Sequence, residues 1–192
     1  MIVVDKKTWF TSDLHLGHDR EFIWKPRGFN SVYEMNETII KNWNSVVNPK
    51  DDVYVLGDLM LGDNENGRKL LCKLKGNLHI ILGNHDSDVR QEIYDNLYNV
   101  VEITYVTIVK YNNYKFYLSH YPTITSSYDE NKPLKAKVIN LCGHTHTEDK
   151  FKDWDKGLIY HVELDAHNNE LVNINRIIND IKEKIVIEKE RK

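Results

Sequence analysis

The sequence predicts a layered α/β or α+β sandwich, because strands and helices alternate along its first half and mostly antiparallel strands follow. Short apolar runs that end at glycine or a small polar residue indicate strands buried on both faces. These runs are KTWFTS near residues 7–12, VYVLG at 53–57, LHIILG at 78–83 and KVINLCG at 137–143.

The clearest helix lies between the first two strands, in SVYEMNETIIKNWNSVV. Ser31 and Glu34 form a capping-box pair at its start, and Pro49 follows its end. Its apolar residues recur at helical spacing: Val32, Met35, Ile39, Trp43 and Val46. Further helices are predicted in NENGRKLLCKLKG, in SDVRQEIYDNL with Ser87 as N-cap, and in INRIINDIKEKI.

Two β-hairpins are predicted in the second half of the chain. VVEITYVTIVK and YKFYLSH, joined by YNN, form the first, and GLIYHVELDAH and NNELVNI form the second.

Length and composition predict one soluble globular domain that spans residues 1–192. The net charge of −3 provides no basic field, so an extended nucleic acid is not an expected partner, and any nucleic-acid substrate would have to be held locally. Cys72 and Cys142 do not make a disulfide framework and read as reduced thiols. With no signal-peptide pattern and no apolar run near the ~20 residues that span a bilayer, a cytoplasmic protein without a membrane partner is expected.

Polar residues able to do chemistry follow the predicted strands one after another. Because ligands of parallel α/β sheets sit outside the carboxyl ends of strands, these residues should meet at one rim. Singly, each motif is ordinary: a Gly-Asp is usually a turn, and a lone histidine is usually just hydrogen-bonded. Together they indicate a site: Asp13, His15 and His18; Asp58; Asn84, His85 and Asp86; His120; His144 and His146.

Carboxylate, amide and imidazole ligands without a thiolate suit ions such as Mn²⁺, Fe²⁺ or Zn²⁺. So many ligands exceed the needs of one tetrahedral ion and suit two ions roughly 3.5–4 Å apart that share a carboxylate. His144 and His146, two apart in an extended chain, should face the same way. Taken alone, this pair reads as a clamp on one metal ion.

The motifs SDLHLGH, VLGDL, LGNHD, LSHYP and CGHTH, in this order, resemble the calcineurin-like metallophosphoesterases, and most closely their small bacterial and phage members. The resemblance implies a four-layer αββα sandwich of two mixed β-sheets flanked by helices. It also implies roles for the site residues. Asp13, His15 and His146 would bind one metal ion, Asn84, His120 and His144 a second, and Asp58 both. His85 would be the general acid, with Asp86 orienting it.

The resemblance further implies a dinuclear-metal-dependent phosphohydrolase in which a metal-bridging hydroxide attacks the phosphoester. The ions expected are Mn²⁺ first, then Fe²⁺, Zn²⁺ or Ni²⁺. A small or nucleotide-like phosphodiester is favoured as substrate, and phosphomonoesters are the alternative. A catalytically silent protein-binding scaffold is a further alternative, which the presence of His85 disfavours. Glu163 and His167 depart from the small residue and the aromatic residue that the family pattern leads us to expect.

Other charged residues allow two interpretations each. His18 either faces the substrate or lies at the surface. Arg27 either grips a phosphate oxygen or is a solvated loop charge. Lys132, Lys135 and Lys137 form a modest basic patch that solvated side chains explain.

Overall fold

A computed structural model describes residues 1–126 and 136–190 of the chain. The strands are β1 (Ile2–Val3), β2 (Thr8–Thr11), β3 (Asp52–Leu56), β4 (Asn77–Ile81), β5 (Val100–Thr104), β6 (Val106–Tyr111), β7 (Tyr114–Ser119), β8 (Val138–Cys142), β9 (Ile159–His161) and β10 (Val172–Asn173). The helices are α1 (Glu21–Trp24), α2 (Val32–Val46), α3 (Asn64–Leu71), α4 (Asp88–Asp95), α5 (Trp154–Gly157) and α6 (Ile174–Glu190).

The strands form two five-stranded sheets, and both sheets are mixed. In the first, ordered β10-β2-β3-β4-β5, the four strands from β2 to β5 run parallel and β10 is antiparallel to β2. In the second, ordered β1-β6-β7-β8-β9, only the β6–β7 pair is antiparallel. Two mixed sheets flanked by helices confirm the fold class that the sequence predicts.

Alternation along each strand divides the core into two parts. Val53 and Val55 of β3 pack with α2, α3 and α4 on the outer face of the first sheet. Tyr54 and Leu56 point the other way and pack against the second sheet, where they join a cluster containing Phe116 of β7. Because β3 is buried on both faces, the polar residue that follows it is placed at the edge of a rigid sandwich.

Helix α2 begins where the sequence predicts, with the Ser31 hydroxyl accepting from the Glu34 N–H at 3.1 Å. The other half of the capping box is shifted by one residue, because the Glu34 carboxylate accepts from the N–H of Asn30 at 2.9 Å. Ser87 is the N-cap residue of α4, but its side chain makes no capping hydrogen bond.

The prediction that VVEITYVTIVK is one strand is wrong. The chain leaves the first sheet at the end of β5 and joins the second sheet at the start of β6, so that only Tyr105 separates the two strands. The hairpin of β6 and β7 is confirmed, with Tyr111 paired to Tyr114. Apolar residues continue on both sides of Tyr105, so nothing in the pattern marks the change of sheet.

The second predicted hairpin does not form. Strand β9 pairs in parallel with β8 of the second sheet, whereas β10 pairs with β2 of the first sheet. Between them lies a 3₁₀ turn, Leu164–His167, after which Asn168 and Asn169 both take left-handed backbone conformations. Strand β1 and the short helices α1 and α5 were not predicted.

Three further expectations can be compared with the fold. Lys137 is buried, not solvated, whereas Lys132 and Lys135 lie outside the described residues. Cys72 and Cys142 are both free thiols. Over the described ranges, no helix has the length and apolar character needed to cross a bilayer.

Trp43 provides a test of the helix-facing core. Its side chain is fully buried, and its indole N–H donates to the carbonyl of Lys75 at 2.8 Å. We expect Trp43→Ala to lower the free energy of unfolding by about 3–5 kcal/mol, because it leaves a large cavity. Tyr33→Ala, at an exposed position of the same helix, should change it by less than about 0.5 kcal/mol. Urea denaturation of both variants checks this, and similar losses would contradict it.

Candidate metal centre

The residues that follow five strands converge at one rim of the sandwich. The first group brings together Asp13 and His15, which follow β2, and His146, which follows β8. The Nε2 atoms of His15 and His146 lie 3.1 Å apart. Asp13 Oδ1 lies 3.7 Å from the Nε2 of His146 and 3.9 Å from that of His15. Ligand atoms from two sheets therefore face a common point.

The second group brings together Asn84, His120 and His144. The side-chain oxygen of Asn84 lies 2.9 Å from His120 Nε2 and 2.9 Å from His144 Nδ1. Asp58 lies between the two groups, since its Oδ2 is 3.8 Å from His15 Nε2 and 3.7 Å from His120 Nε2. His144 and His146 thus belong to different groups and do not form one clamp.

The donor atoms fit divalent cations. Two sets of ligand atoms are compact enough for an ion, since the atoms within each set lie within 4.8 Å of one another. One set comes from Asp13, His15 and His146, and the other from Asp13, Asp58 and His120. Asp13 Oδ1 is buried without a hydrogen-bond partner in the part of the chain that the structure describes. Burial raises the pKa of Asp13 to about 6 and lowers the pKa of His15, which keeps this imidazole neutral. A bound cation would stabilise the Asp13 carboxylate and use the free His15 lone pair. These buried groups could hold metal ions.

Five of the seven predicted ligands share an unusual backbone conformation. Left-handed φ values occur at Asp13 (56°), His15 (47°), Asp58 (57°), His144 (75°) and His146 (48°). Such values are uncommon outside glycine and persist only where the surroundings enforce them. Backbone hydrogen bonds help to hold these conformations. The N–H of Asp13 donates to the Gly57 carbonyl at 3.0 Å, and the N–H of His144 donates to Asp13 Oδ2 at 2.9 Å.

Asp86 is placed differently from the expectation that it orients His85. Its carboxylate, buried at 3% exposure, accepts from the N–H groups of Asp58 and Gly83 at 2.8 Å each and from the Tyr94 hydroxyl at 2.7 Å. Over the described residues no hydrogen bond joins it to the imidazole of His85. The side chain points into the sheet edge, where unpaired backbone N–H groups need an acceptor.

The ring of His85 lies at the mouth of the rim. The ring centroid is 5.6 Å from that of His15, in an edge-on arrangement. The backbone N–H of His85 donates to Asp58 Oδ1 at 2.9 Å. His18 lies on the same side, 5.5 Å from His15 between ring centroids, and burial lowers its pKa. Both histidines line a depression of about 570 Å³ that also reaches five of the predicted ligands: His15, Asp58, Asn84, His144 and His146.

The depression has an apolar wall that the sequence analysis missed. Phe22 and Ile23 of α1 contribute to it, together with Pro26 and Leu61. Phe22 is 69% exposed, and its ring meets that of His18 edge-on at 5.6 Å. The EFIW stretch after His18 was the available signal, but a four-residue helix gives too little periodicity to reveal which face it presents.

Arg27 is neither a solvated loop charge nor free to bind phosphate. Its side chain is 1% exposed, and its Nε and Nη2 atoms donate to the two carboxylate oxygens of Asp165 at 3.1 and 2.7 Å. Nη2 also donates to the Asp13 carbonyl at 2.7 Å, and Nη1 contacts the Leu14 carbonyl at 3.4 Å and Met35 Sδ at 3.8 Å. All three guanidinium nitrogens are therefore engaged within the protein.

Two further residues beside the rim, Asp165 and Glu163, had no role assigned from the sequence. Burial raises the pKa of Asp165, but hydrogen bonds and charge from His146 and Arg27 outweigh it and hold that pKa well below its usual range. Burial opposes protonation of His146, but Asp165 and Asp13 raise its pKa. Glu163 is fully buried and accepts from the Thr145 hydroxyl at 3.0 Å, beside both histidines. The acidic residues of VELDAH were the available signal.

Gly143 allows a test of how closely its backbone packs against the side chains of Ser12 and Asp13. A Cβ atom at Gly143 would overlap Ser12 Oγ and Asp13 Oδ2. We expect Gly143→Ala to displace the Asp13 carboxylate and to lower the free energy of unfolding by about 1–3 kcal/mol through overpacking. Urea denaturation measures the loss of stability. The NMR resonance of the His144 amide, which donates to Asp13, reports the displacement of the carboxylate.

Gly28→Ala is the control for this substitution. A Cβ there meets nothing within 4 Å, although φ is +85°. It should cost about 1–2 kcal/mol from backbone strain alone and leave the His144 resonance unchanged. If Gly143→Ala also left that resonance in place, the predicted displacement would be wrong.

Comparisons with known proteins agree with the geometry of the rim. The sequence profile of the calcineurin-like phosphoesterase superfamily domain matches residues 7–163. The uncharacterized protein MJ1445 of Methanocaldococcus jannaschii is 41% identical over 143 residues, which are 73% of this chain and 70% of that protein. The Gene 66 protein of Mycobacterium phage L5 is 41% identical over 83 residues, which are 41% of this chain and 39% of that protein.

Among solved structures, the protein of unknown function AQ665 from Aquifex aeolicus matches with a TM-score of 0.66 at 21% identity. The match covers 93% of this chain and 99% of that one, and at this identity it shows the fold alone. The profile match and the archaeal relative confirm the resemblance drawn from the motifs. The chain belongs to the calcineurin-like phosphoesterase superfamily.

Proposed function

We propose that the protein is a dinuclear-metal-dependent phosphohydrolase that cleaves small phosphodiesters. The observation that carries this proposal is the pair of ligand groups at the rim, joined by Asp58, with buried acceptors that lack donors. Two divalent ions, Mn²⁺ first, would neutralise the phosphate charge and lower the pKa of a coordinated water. Asp13, His15 and His146 would hold one ion, Asn84, His120 and His144 the other, and Asp58 both.

His85 is the general acid of the proposed reaction. Its ring lines the depression beside His15, without being part of either ligand group, so it can reach the oxygen that leaves phosphorus. Its backbone N–H donates to Asp58, which fixes the ring's attachment point relative to both groups. Asp86 acts on the site through the backbone of Asp58, because its carboxylate is turned away from the His85 ring.

The lining of the depression supports a diester over a monoester. A monoester carries a second negative charge, but among the described residues that line the depression none is lysine or arginine. Arg27, which follows the lining residue Pro26, is engaged with Asp165. A diester carries one charge and a second organic group, and the wall of Phe22, Ile23, Pro26 and Leu61 can pack against such a group.

The proposal is tested by hydrolysis of aryl and alkyl phosphodiesters and phosphomonoesters with defined metals. We expect turnover with Mn²⁺ that a chelator abolishes, and higher kcat/KM for diesters. His85→Ala should keep its metal content and lose about 10²–10⁴ in rate for alkyl leaving groups, but much less for p-nitrophenol, which departs without a proton.

His79→Ala is the matched control, because His79 lies within β4 and bonds Asp52 and Glu102 away from the rim. It should not change the dependence on leaving group. Equal losses for both leaving groups in His85→Ala would contradict the general acid. Absence of turnover for every ester with Mn²⁺ or Ni²⁺ would contradict the hydrolase and favour a silent scaffold.

The apolar wall gives a separate prediction about the substrate. If Phe22 packs on a ring of the substrate, Phe22→Ala should raise KM about tenfold for the methyl ester of thymidine 5′-phosphate, since base–aromatic stacking contributes ~1–3 kcal/mol. The methyl ester of ribose 5-phosphate has the same leaving oxygen but no base, so its KM should not change. Steady-state kinetics on this substrate pair measures the difference.

Tyr98→Ala is the control for Phe22. Tyr98 is 78% exposed and precedes β5, at the opposite end of the sheet from the rim. Neither ester should respond to this change. Equal effects of Phe22→Ala on the two esters would show that Phe22 does not contact the base.

A further inference from the structure

A buried ion pair beneath the rim connects the ring of one predicted ligand to the backbone of another. Asp165 Oδ2 lies 3.1 Å from His146 Nδ1, and the same oxygen accepts from Arg27 Nη2 at 2.7 Å. Arg27 Nη2 also donates to the carbonyl of Asp13 at 2.7 Å. Four residues therefore meet in a continuous chain of polar contacts: Asp13, Arg27, Asp165 and His146.

We propose that Asp165 and Arg27 are positioning residues for the first metal ion, acting through His146 and Asp13. This inference rests on the proposed function, in which His146 is a metal ligand. Asp165 would fix the tautomer and the ring angle of His146, and Arg27 would hold Asp165 against the loop that carries Asp13. Arg27 would thus support the metal ligands through Asp13 and Asp165 and would not contact the substrate.

The tautomer follows from the hydrogen-bonding capacity of each group. A carboxylate can only accept, so His146 must carry a proton on Nδ1 to bond Asp165. In the neutral ring the lone pair then lies on Nε2, the atom that is 3.1 Å from His15 Nε2 and 3.7 Å from Asp13 Oδ1. A carboxylate on the far nitrogen of a metal-binding histidine fixes its orientation and increases its basicity as a ligand.

Arg27 is suited to hold this carboxylate in one place. Its planar fork contacts both oxygens of Asp165, which a lysine could not do. The side chains of Arg27 and Asp165 are 1% and 10% exposed, so solvent scarcely competes. Arg27 Nη2 is 3.5 Å from His146 Nδ1, farther than from the carboxylate, so Asp165 is the closer partner of the ring.

The two histidines of CGHTH differ in what their rings contact outside the ligand groups, so the inference applies to one metal site only. His144, the other imidazole of CGHTH, has its Nδ1 against Asn84 and its ring 4.7 Å from that of Tyr121. Among the described residues no carboxylate bonds its ring. Loss of Asp165 should therefore weaken one metal site and spare the other.

The experiment titrates the metal-free full chain with Mn²⁺ alone, by calorimetry and by the EPR signal of free Mn²⁺. Wild type should bind two ions. Asp165→Asn should weaken one of them about 10–100-fold and leave the other unchanged. Asp165→Glu, which retains a carboxylate, should recover part of the lost affinity.

Asp180→Asn is the matched control. Asp180 is also a buried carboxylate, and it pairs with Lys150 at 2.7 Å and Arg176 at 2.8 Å on the α6 side of the core. The same substitution there should leave both Mn²⁺ affinities at their wild-type values. Equal weakening of both sites by Asp165→Asn, or no weakening, would overturn the inference.

A measurement on wild type covers the case in which Asp165→Asn does not fold. At a pH high enough for the metal-free His146 ring to be neutral, its ¹⁵N shifts should report the proton on Nδ1. A neutral ring with its proton on Nε2 would overturn the inference. Failure of the proposed function has a different signature: two Mn²⁺ ions bound and the expected asymmetry present, but no ester hydrolysed. Absence of any Mn²⁺ binding would overturn both.

Discussion

The rim depends on one buried carboxylate that ties together the ends of two parallel strands. The loops after β3 and β4 leave backbone N–H groups without strand partners, and Asp86 accepts from one in each loop, Asp58 and Gly83. The Tyr94 hydroxyl of α4 completes the set. An unpaired buried N–H costs as much as a lost hydrogen bond, so a side-chain acceptor here is a structural requirement. With it in place, Asp58 can be held in a left-handed conformation that turns its carboxylate toward both ligand groups.

Charge at the rim is arranged in two layers. The outer layer holds the predicted ligands, with Asp13 and Asp58 buried among imidazoles. The inner layer holds Asp165 and Glu163, which contact the histidine-bearing loop from behind. Burying so many acids is costly unless cations balance them. In the inner layer Arg27 pairs with Asp165, and His161 lies 3.2 Å from Glu163. The proposed metal ions would balance the outer layer.

Much of the fold and most of the rim could be predicted from sequence, because the signals are local. The apolar stretch from Val53 to Leu56 in strand β3 leads directly into Gly57 and Asp58, so the pattern locates both the strand and the side chain that follows it. The break at Tyr105 could not be predicted, because a strand that changes sheets keeps its apolar character. The Arg27–Asp165 pair spans 138 positions in the sequence, and only the fold brings it together. Asp86 was misplaced for a related reason: adjacency to His85 in sequence says nothing about which way each side chain points.

The single residue between β5 and β6 has a mechanical consequence for the rim. Tyr105 is the whole covalent link by which the chain passes from one sheet to the other at that edge. The first sheet supplies Asp13, Asp58 and Asn84, and the second supplies His120, His144 and His146, so each ligand group is assembled across the gap between the sheets. With so short a tether, one sheet cannot slide along the other without moving β5 or β6 as a whole. The spacing of the ligands therefore depends on how the two sheets are aligned. A change in the core cluster between the sheets, which contains Tyr54 and Phe116, would alter that spacing.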